Sequence, residues 1–160
     1  MRPSKTLVIV LLAIVAIVFA GLAIASEPAD AMKVRPTIKI NGKWDMAAQG
    51  FPGSGTAGDP FVIEGYEVNA TGYGVGIYVG NVSNVVIRDN YVHGAASPDG
   101  RSHMFEWDSG IALFNVQGFT IANNWVEDND GHGIHLESVF QGEVTSNSLV
   151  GNGVGLYVSS

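Results

Sequence analysis

No cysteine occurs among the 160 residues, so no disulfide can staple the fold and packing and hydrogen bonds must hold it. Basic residues are scarce. Eight Lys plus Arg stand against fifteen Asp plus Glu, and the net charge is -7. That balance offers no basic patch to neutralise phosphates, which argues against nucleic acid as a partner. Past residue 26 no helical period of apolar residues runs through the chain, which leaves the β classes. Proline is also rare, at six residues against 21 glycines. Glycine without proline-glycine low complexity points to a periodic need for tight backbone, and so to internal repeats.

One long hydrophobic run is present. Arg2 and Lys5 precede an uncharged apolar stretch from Leu7 to Ala25, the pattern of an export signal. Its length is close to the roughly 20 residues that span a bilayer, while Ala23-Ile24-Ala25 offers a small-x-small cleavage site. Residues 1–26 are therefore read as a signal peptide or membrane anchor, and 27–37 as a linker. Either outcome leaves the remainder outside the cell, secreted or anchored, with the membrane touched only through this segment. A disulfide-free exported chain suits a prokaryotic surface better than an animal secretion. About 135 residues remain, enough for one domain.

The repeats lie there. Gly76-Ile77-Tyr78-Val79, Gly110-Ile111-Ala112-Leu113, Gly133-Ile134-His135-Leu136 and Gly155-Leu156-Tyr157-Val158 align as Gly-apolar-x-apolar. A second register, ending at Asn90, Asn124 and Asn147, repeats the same spacing: 34 residues, then 23. Both registers place an insertion of about a dozen residues, near 94–107, in the first full repeat. Each repeat shows two short alternating strands divided by turn residues. A unit of 22–23 residues cannot bury its apolar face alone, so neighbours stack as coils. The predicted inward ladders are Ile77, Ile111, Ile134, Leu156; Val79, Leu113, Leu136, Val158; and Ile87, Ile121, Val144. Asn90, Asn124 and Asn147 are predicted to stack at a bend and to bond neighbouring amides. The fold class is all-β: a right-handed parallel β-helix of 22–23-residue coils.

These motifs resemble the NosD-like group of right-handed parallel β-helix repeat proteins, of the carbohydrate-binding and sugar-hydrolase type found on archaeal surfaces. Ile38-Lys39-Ile40-Asn41-Gly42 and the stretch Gly53 to Tyr66 are similar to the segment that opens the helix in that group. Residues 38–71 are thus read as a capping segment and first coil, and 72–160 as repeats. The last repeat stops halfway, at Ser160, with no polar cap, so further coils or another chain are expected to cover that end.

The resemblance implies a sugar-directed function. Asp130-Gly131-His132-Gly133 contains the Gly-His-Gly of polygalacturonases, which share the fold, and the repeat places Asp108 and Ser109 one coil upstream. Only one acid of the expected pair is there, and both glycines are explained by the turn before each Gly-Ile strand. Asp108, His132 and His135 are nonetheless the candidate catalytic groups. Copper is the ion carried by the family name. Calcium is the other candidate, but the spacing of His132 and His135 gives no recognised ligand set, so no metal or cofactor is assigned and both histidines are read as surface residues. Outward aromatics form two stripes, one of Tyr78, Ala112, His135 and Tyr157, the other of Tyr91, Trp125 and Ser148; aromatics on a flat sheet can stack on sugar rings. With Arg101, Glu106 and Trp107 from the insertion, Tyr91 and Trp125 make up the candidate carbohydrate site. Asn69-Ala70-Thr71 and Asn81-Val82-Ser83 are glycosylation sequons. The leading expectation is a surface module binding a polysaccharide or cell-surface glycan. A polysaccharide hydrolase, lyase or epimerase and a structural or adhesive scaffold are the alternatives.

Overall fold

The structure is a computed structural model, and it describes residues 31–97 and 108–160. The signal or anchor segment at 1–26 and the candidate residues Arg101, Glu106 and Trp107 lie outside the described residues.

Three parallel sheets build the domain. The first joins β2 (Ile38–Asn41), β5 (Val75–Gly80), β8 (Ser109–Phe114), β11 (His132–Glu137) and β14 (Val154–Ser159). The second joins β3 (Phe61–Glu64), β6 (Ser83–Arg88), β9 (Gln117–Ala122) and β12 (Phe140–Thr145). The third joins β1 (Lys33–Arg35), β4 (Tyr66–Asn69), β7 (Tyr91–His93), β10 (Trp125–Glu127) and β13 (Ser148–Val150). The chain visits the sheets in rotation, one strand in each per coil, which makes a parallel β-helix with three faces. Its sequence shows two strands per coil and not three. The third strand is only three or four residues long, too short for alternation to register.

The ladders pair as the repeat requires. Ile77 faces Ile111, Ile111 faces Ile134, and Ile134 faces Leu156. Ile38 extends the row one coil earlier, opposite Ile77. In the second sheet Ile63, Ile87, Ile121 and Val144 form successive pairs. Ile38, Ile63, Ile77, Ile87, Ile111, Ile121 and Ile134 are fully buried and belong to one continuous core. Each such side chain contributes roughly 1.5–3 kcal/mol by leaving water.

Bends between the sheets are set by left-handed residues. Asp89, Asn123 and Ser146, with φ of 55°, 56° and 55°, each precede a ladder asparagine, and Gly65 takes the same place in the first coil with φ of 73°. Glycine, Asn and Asp reach this region at least cost, and so mark the corners. A short helix, α1 (Lys43–Ala48), closes the first coil, burying Met46 against the core. Six residues are too few to show a helical period, which is why none was visible in the sequence.

Candidate functional site

The third sheet carries the more open of two candidate sites. Val68, Val92 and Val126 sit in register and point into the core. Because side chains alternate, the residues on either side of them face outward. One outward row is therefore Glu67, Tyr91, Trp125, and the next is Asn69, His93, Glu127. Trp125 is 54% exposed. Its indole Nε1–H donates to Glu127 Oε2 at 2.7 Å, while the Tyr91 hydroxyl donates to the other oxygen, Oε1. One carboxylate thus fixes the polar edges of two rings, whose planes lie at 78° with centroids 6.5 Å apart. His93 stacks on Tyr91, at 4.5 Å between centroids, and its Nε2 lies 3.7 Å from Glu67 Oε1.

These contacts reshape the acid-base chemistry. The hydrogen bond to Glu127 pushes the Tyr91 phenol up to about 12, with the charges of Glu127, Glu67 and Asp128 adding to it. The same bond, helped by the one from Trp125, holds the Glu127 carboxyl below its ordinary value. Glu127 is therefore a fixed anion beside an exposed aromatic face.

The second candidate site occupies the corner where β8 and β11 begin. Asp108 is completely buried and accepts a hydrogen bond from Ser97 Oγ at 2.6 Å through Oδ1. Its backbone carbonyl accepts from the N–H of Gly131 at 2.7 Å. Ser109 Oγ lies 3.3 Å from His132 Nδ1. The His132 ring stacks on Tyr157, and His135 meets Tyr157 edge-on at 5.0 Å. The coils thus bring Asp108, Ser109, His132 and His135 to one place.

The expectation that both histidines are surface residues is overturned. His132 is 3% and His135 6% exposed. Both rings pack against Tyr157 and against each other, and burial pushes both imidazoles below their ordinary value. For His135 the neighbouring Glu137 carboxylate, 3.8 Å from Nε2, pulls the other way. The stripe of Tyr78, Ala112, His135 and Tyr157 is in register on the outward side, as expected, but Ala112 and His135 are buried. It therefore offers no continuous open platform. Among the described residues no group of three or more His, Asp and Glu could hold a metal ion, so the copper implied by the resemblance finds no donor set there.

The glycines of Gly-His-Gly also have a different cause. Neither Gly131 nor Gly133 has a positive φ. A Cβ on Gly131 would lie 2.6 Å from the Asp108 carbonyl oxygen, and one on Gly133 would lie 2.8 Å from that of Gly155. Close approach of the preceding coil at Gly131 and of the following coil at Gly133 excludes a side chain, where sequence reasoning invoked the turn.

Sequence reasoning missed Glu67, His93 and Glu127. Each lies on a strand of three or four residues, and only the coil register brings them to one face. It also missed a groove of about 310 Å³ at another corner, lined by Asn81, Ser83, Asn115, Gln117 and Phe140 among others. Asn81 belongs to one of the sequons. Its Nδ2 donates to Asn41 Oδ1 at 2.6 Å and its Oδ1 accepts from Asn115 Nδ2 at 2.7 Å, so its amide is already engaged.

A family model described as right handed beta helix region matches residues 53–160. No curated protein and no solved structure matches the chain.

Proposed function

The chain belongs to the right-handed β-helix family, and from that premise we propose that it is an exported carbohydrate-binding module of the cell surface. The observation that carries this reading is Trp125. It stands outward on a flat parallel sheet, 54% exposed, with its one polar group tied to Glu127. An aromatic ring so held presents a preorganised apolar face, and sugar rings present C–H groups that stack on such a face. Glu127 lies beside it, and Glu67 and Asn69 stand two strands away on the same face, hydrogen-bonding groups for the hydroxyls of a glycan laid across the sheet. Within the family, the segments Ile38 to Gly42 and Gly53 to Tyr66 support placing the chain with the NosD-like repeat proteins of archaeal surfaces.

One or two stacked rings on an open face bury little area, so affinity for oligosaccharides is expected between roughly micromolar and millimolar. Titration against a panel of neutral, acidic and amino-sugar oligosaccharides tests the reading. Trp125→Ala should weaken binding about fivefold or more, given the ~1 kcal/mol or more of a stacked ring, and leave the melting temperature nearly unchanged. Absence of binding by the intact protein, or undiminished binding by Trp125→Ala, would put the scaffold alternative in front.

A second reading, a polysaccharide hydrolase, lyase or epimerase, draws on the meeting of Asp108, Ser109, His132 and His135 at one corner. Hydrolysis calls for two carboxyl groups flanking the scissile bond. Turnover of a polysaccharide that is lost on Asp108→Asn and on His132→Gln is the result that would favour it.

A further inference from the structure

The aromatic platform has a charge as well as a shape. Glu67 and Glu127 flank Tyr91 and Trp125 on the outward face, and Asp128 follows at the end of β10. Both Glu67 and Asp128 act electrostatically on Tyr91, which places their charges within reach of the platform. Three cations of the described residues are engaged elsewhere. Arg88 is paired with Glu64 at 2.7 Å and lies 3.7 Å from Asp89. Lys33 and Arg35, on β1, are three strands away from Trp125 in the sheet order and lie over the rings of Tyr66 and Phe51. Among the described residues the base beside the platform is His93, and it faces Glu67. Each oxygen of Glu127 holds one ring donor and keeps a further lone pair, so the carboxylate can accept from a ligand without releasing Trp125 or Tyr91.

We infer that the platform selects glycans carrying free protonated amines, the glucosamine-type units of a deacetylated polymer, over those carrying uronic acids. The inference rests on the carbohydrate-binding reading. A sugar ring stacked on Trp125 places its ring substituents at the indole edge, where Glu127 is. An ammonium there gains a charge-assisted hydrogen bond, whereas a carboxylate meets like charge from Glu67, Glu127 and Asp128.

The test titrates the intact protein with three short oligomers, of glucosamine, N-acetylglucosamine and galacturonic acid, at mildly acidic pH and at low and high salt. The glucosamine oligomer should bind about fivefold more tightly than its acetylated counterpart, the scale of one solvent-exposed ion pair. The galacturonate oligomer should bind most weakly. The amine advantage should shrink at high salt through screening. Glu127→Gln, which removes the charge and one of the two ring acceptors, should bring the ratio of the glucosamine to the N-acetylglucosamine affinity close to one, whatever it does to the affinity for the N-acetylated oligomer alone. Phe140→Ala, in the amide-lined groove, should change nothing. Equal binding of all three oligomers, lost on Trp125→Ala, would overturn the selectivity and keep the carbohydrate reading. A preference for the galacturonate oligomer, such as Arg101 of the insertion would give, overturns the selectivity as well. No binding of any oligomer removes both.

Discussion

Asn124 is 2% exposed, and its whole amide is committed. Oδ1 accepts from both the N–H and the Nδ2 of Asn90, at 3.1 and 3.0 Å. Nδ2 donates to the carbonyls of Ile87 and Ala122 and to Asn147 Oδ1. Asn90 repeats the pattern one coil earlier, accepting from the N–H of Tyr66 and donating to the Ile63 carbonyl. Asn124→Ala would leave a buried N–H and a buried amide on Asn90 without their acceptor. Such groups cost ~1–3 kcal/mol each, so the variant is expected to lose roughly 2–4 kcal/mol in urea unfolding. Asn147→Ala, at a half-buried rung, should cost less, because water can replace its bonds. Equal losses at the two positions would mean that burial along the ladder does not govern its energetics. The ladder was legible because Asn recurs at the repeat spacing. A second one was not: Asn129 accepts from the N–H of Ala95 and donates to Asn152 Oδ1 at 2.7 Å. Asn129 is set between Asp128 and Asp130, and Asn152 between two glycines, where either residue reads as ordinary turn composition.

At the start of β5, β8 and β11 in the first sheet, the coils approach too closely for any side chain. A Cβ on Gly76 would lie 2.6 Å from the Gly110 carbonyl oxygen. One on Gly110 would meet Gly133 O at 2.9 Å and Asn129 Nδ2 at 2.8 Å. The row ends at Gly155, where the nearest atom to an added Cβ is 3.8 Å away, an ordinary contact. Gly110→Ala should therefore cost ~1–3 kcal/mol through backbone displacement and lost coil register, as overpacking does. Gly155→Ala should lie within about 0.5 kcal/mol of the parent in the same urea titration. If both variants melt alike, close approach is not what selects glycine at these positions. The Gly-apolar-x-apolar motif revealed the strands because its spacing is a property of one coil. The candidate platform was only half legible for the opposite reason. Tyr91 and Trp125 stand out by residue type, but Glu67 and Glu127 are 60 residues apart in sequence and come to the same face only through stacking.

For the molecule as a whole, the apolar interior is one body. The core runs without a break from Met46 and Phe51, at the helix end, through every coil to Leu136. No coil encloses its own apolar residues. Each row is covered by the rows before and after it, so the coils are expected to stand or fall together. Ile111 sits in the middle of this stack, fully buried between Ile77 and Ile134. An aspartate there would place an unpaired carboxylate in the interior, at a cost of several kcal/mol against a total stability of about 5–15 kcal/mol. Ile111→Asp is therefore expected to lose its cooperative thermal transition at neutral pH. Leu156 belongs to the same row but is 44% exposed, so Leu156→Asp keeps much of its charge hydrated and should still melt as one transition. Circular dichroism melting of the two variants checks the contrast, and hydrogen exchange on Ile111→Asp separates two ways of failing. A cooperative melt near that of the parent would show that residue 111 does not face the core and would sink the coil register. Loss of protection confined to β8 and its immediate neighbours, with β2 to β4 still protected, would instead show that coils bury enough within themselves to fold apart.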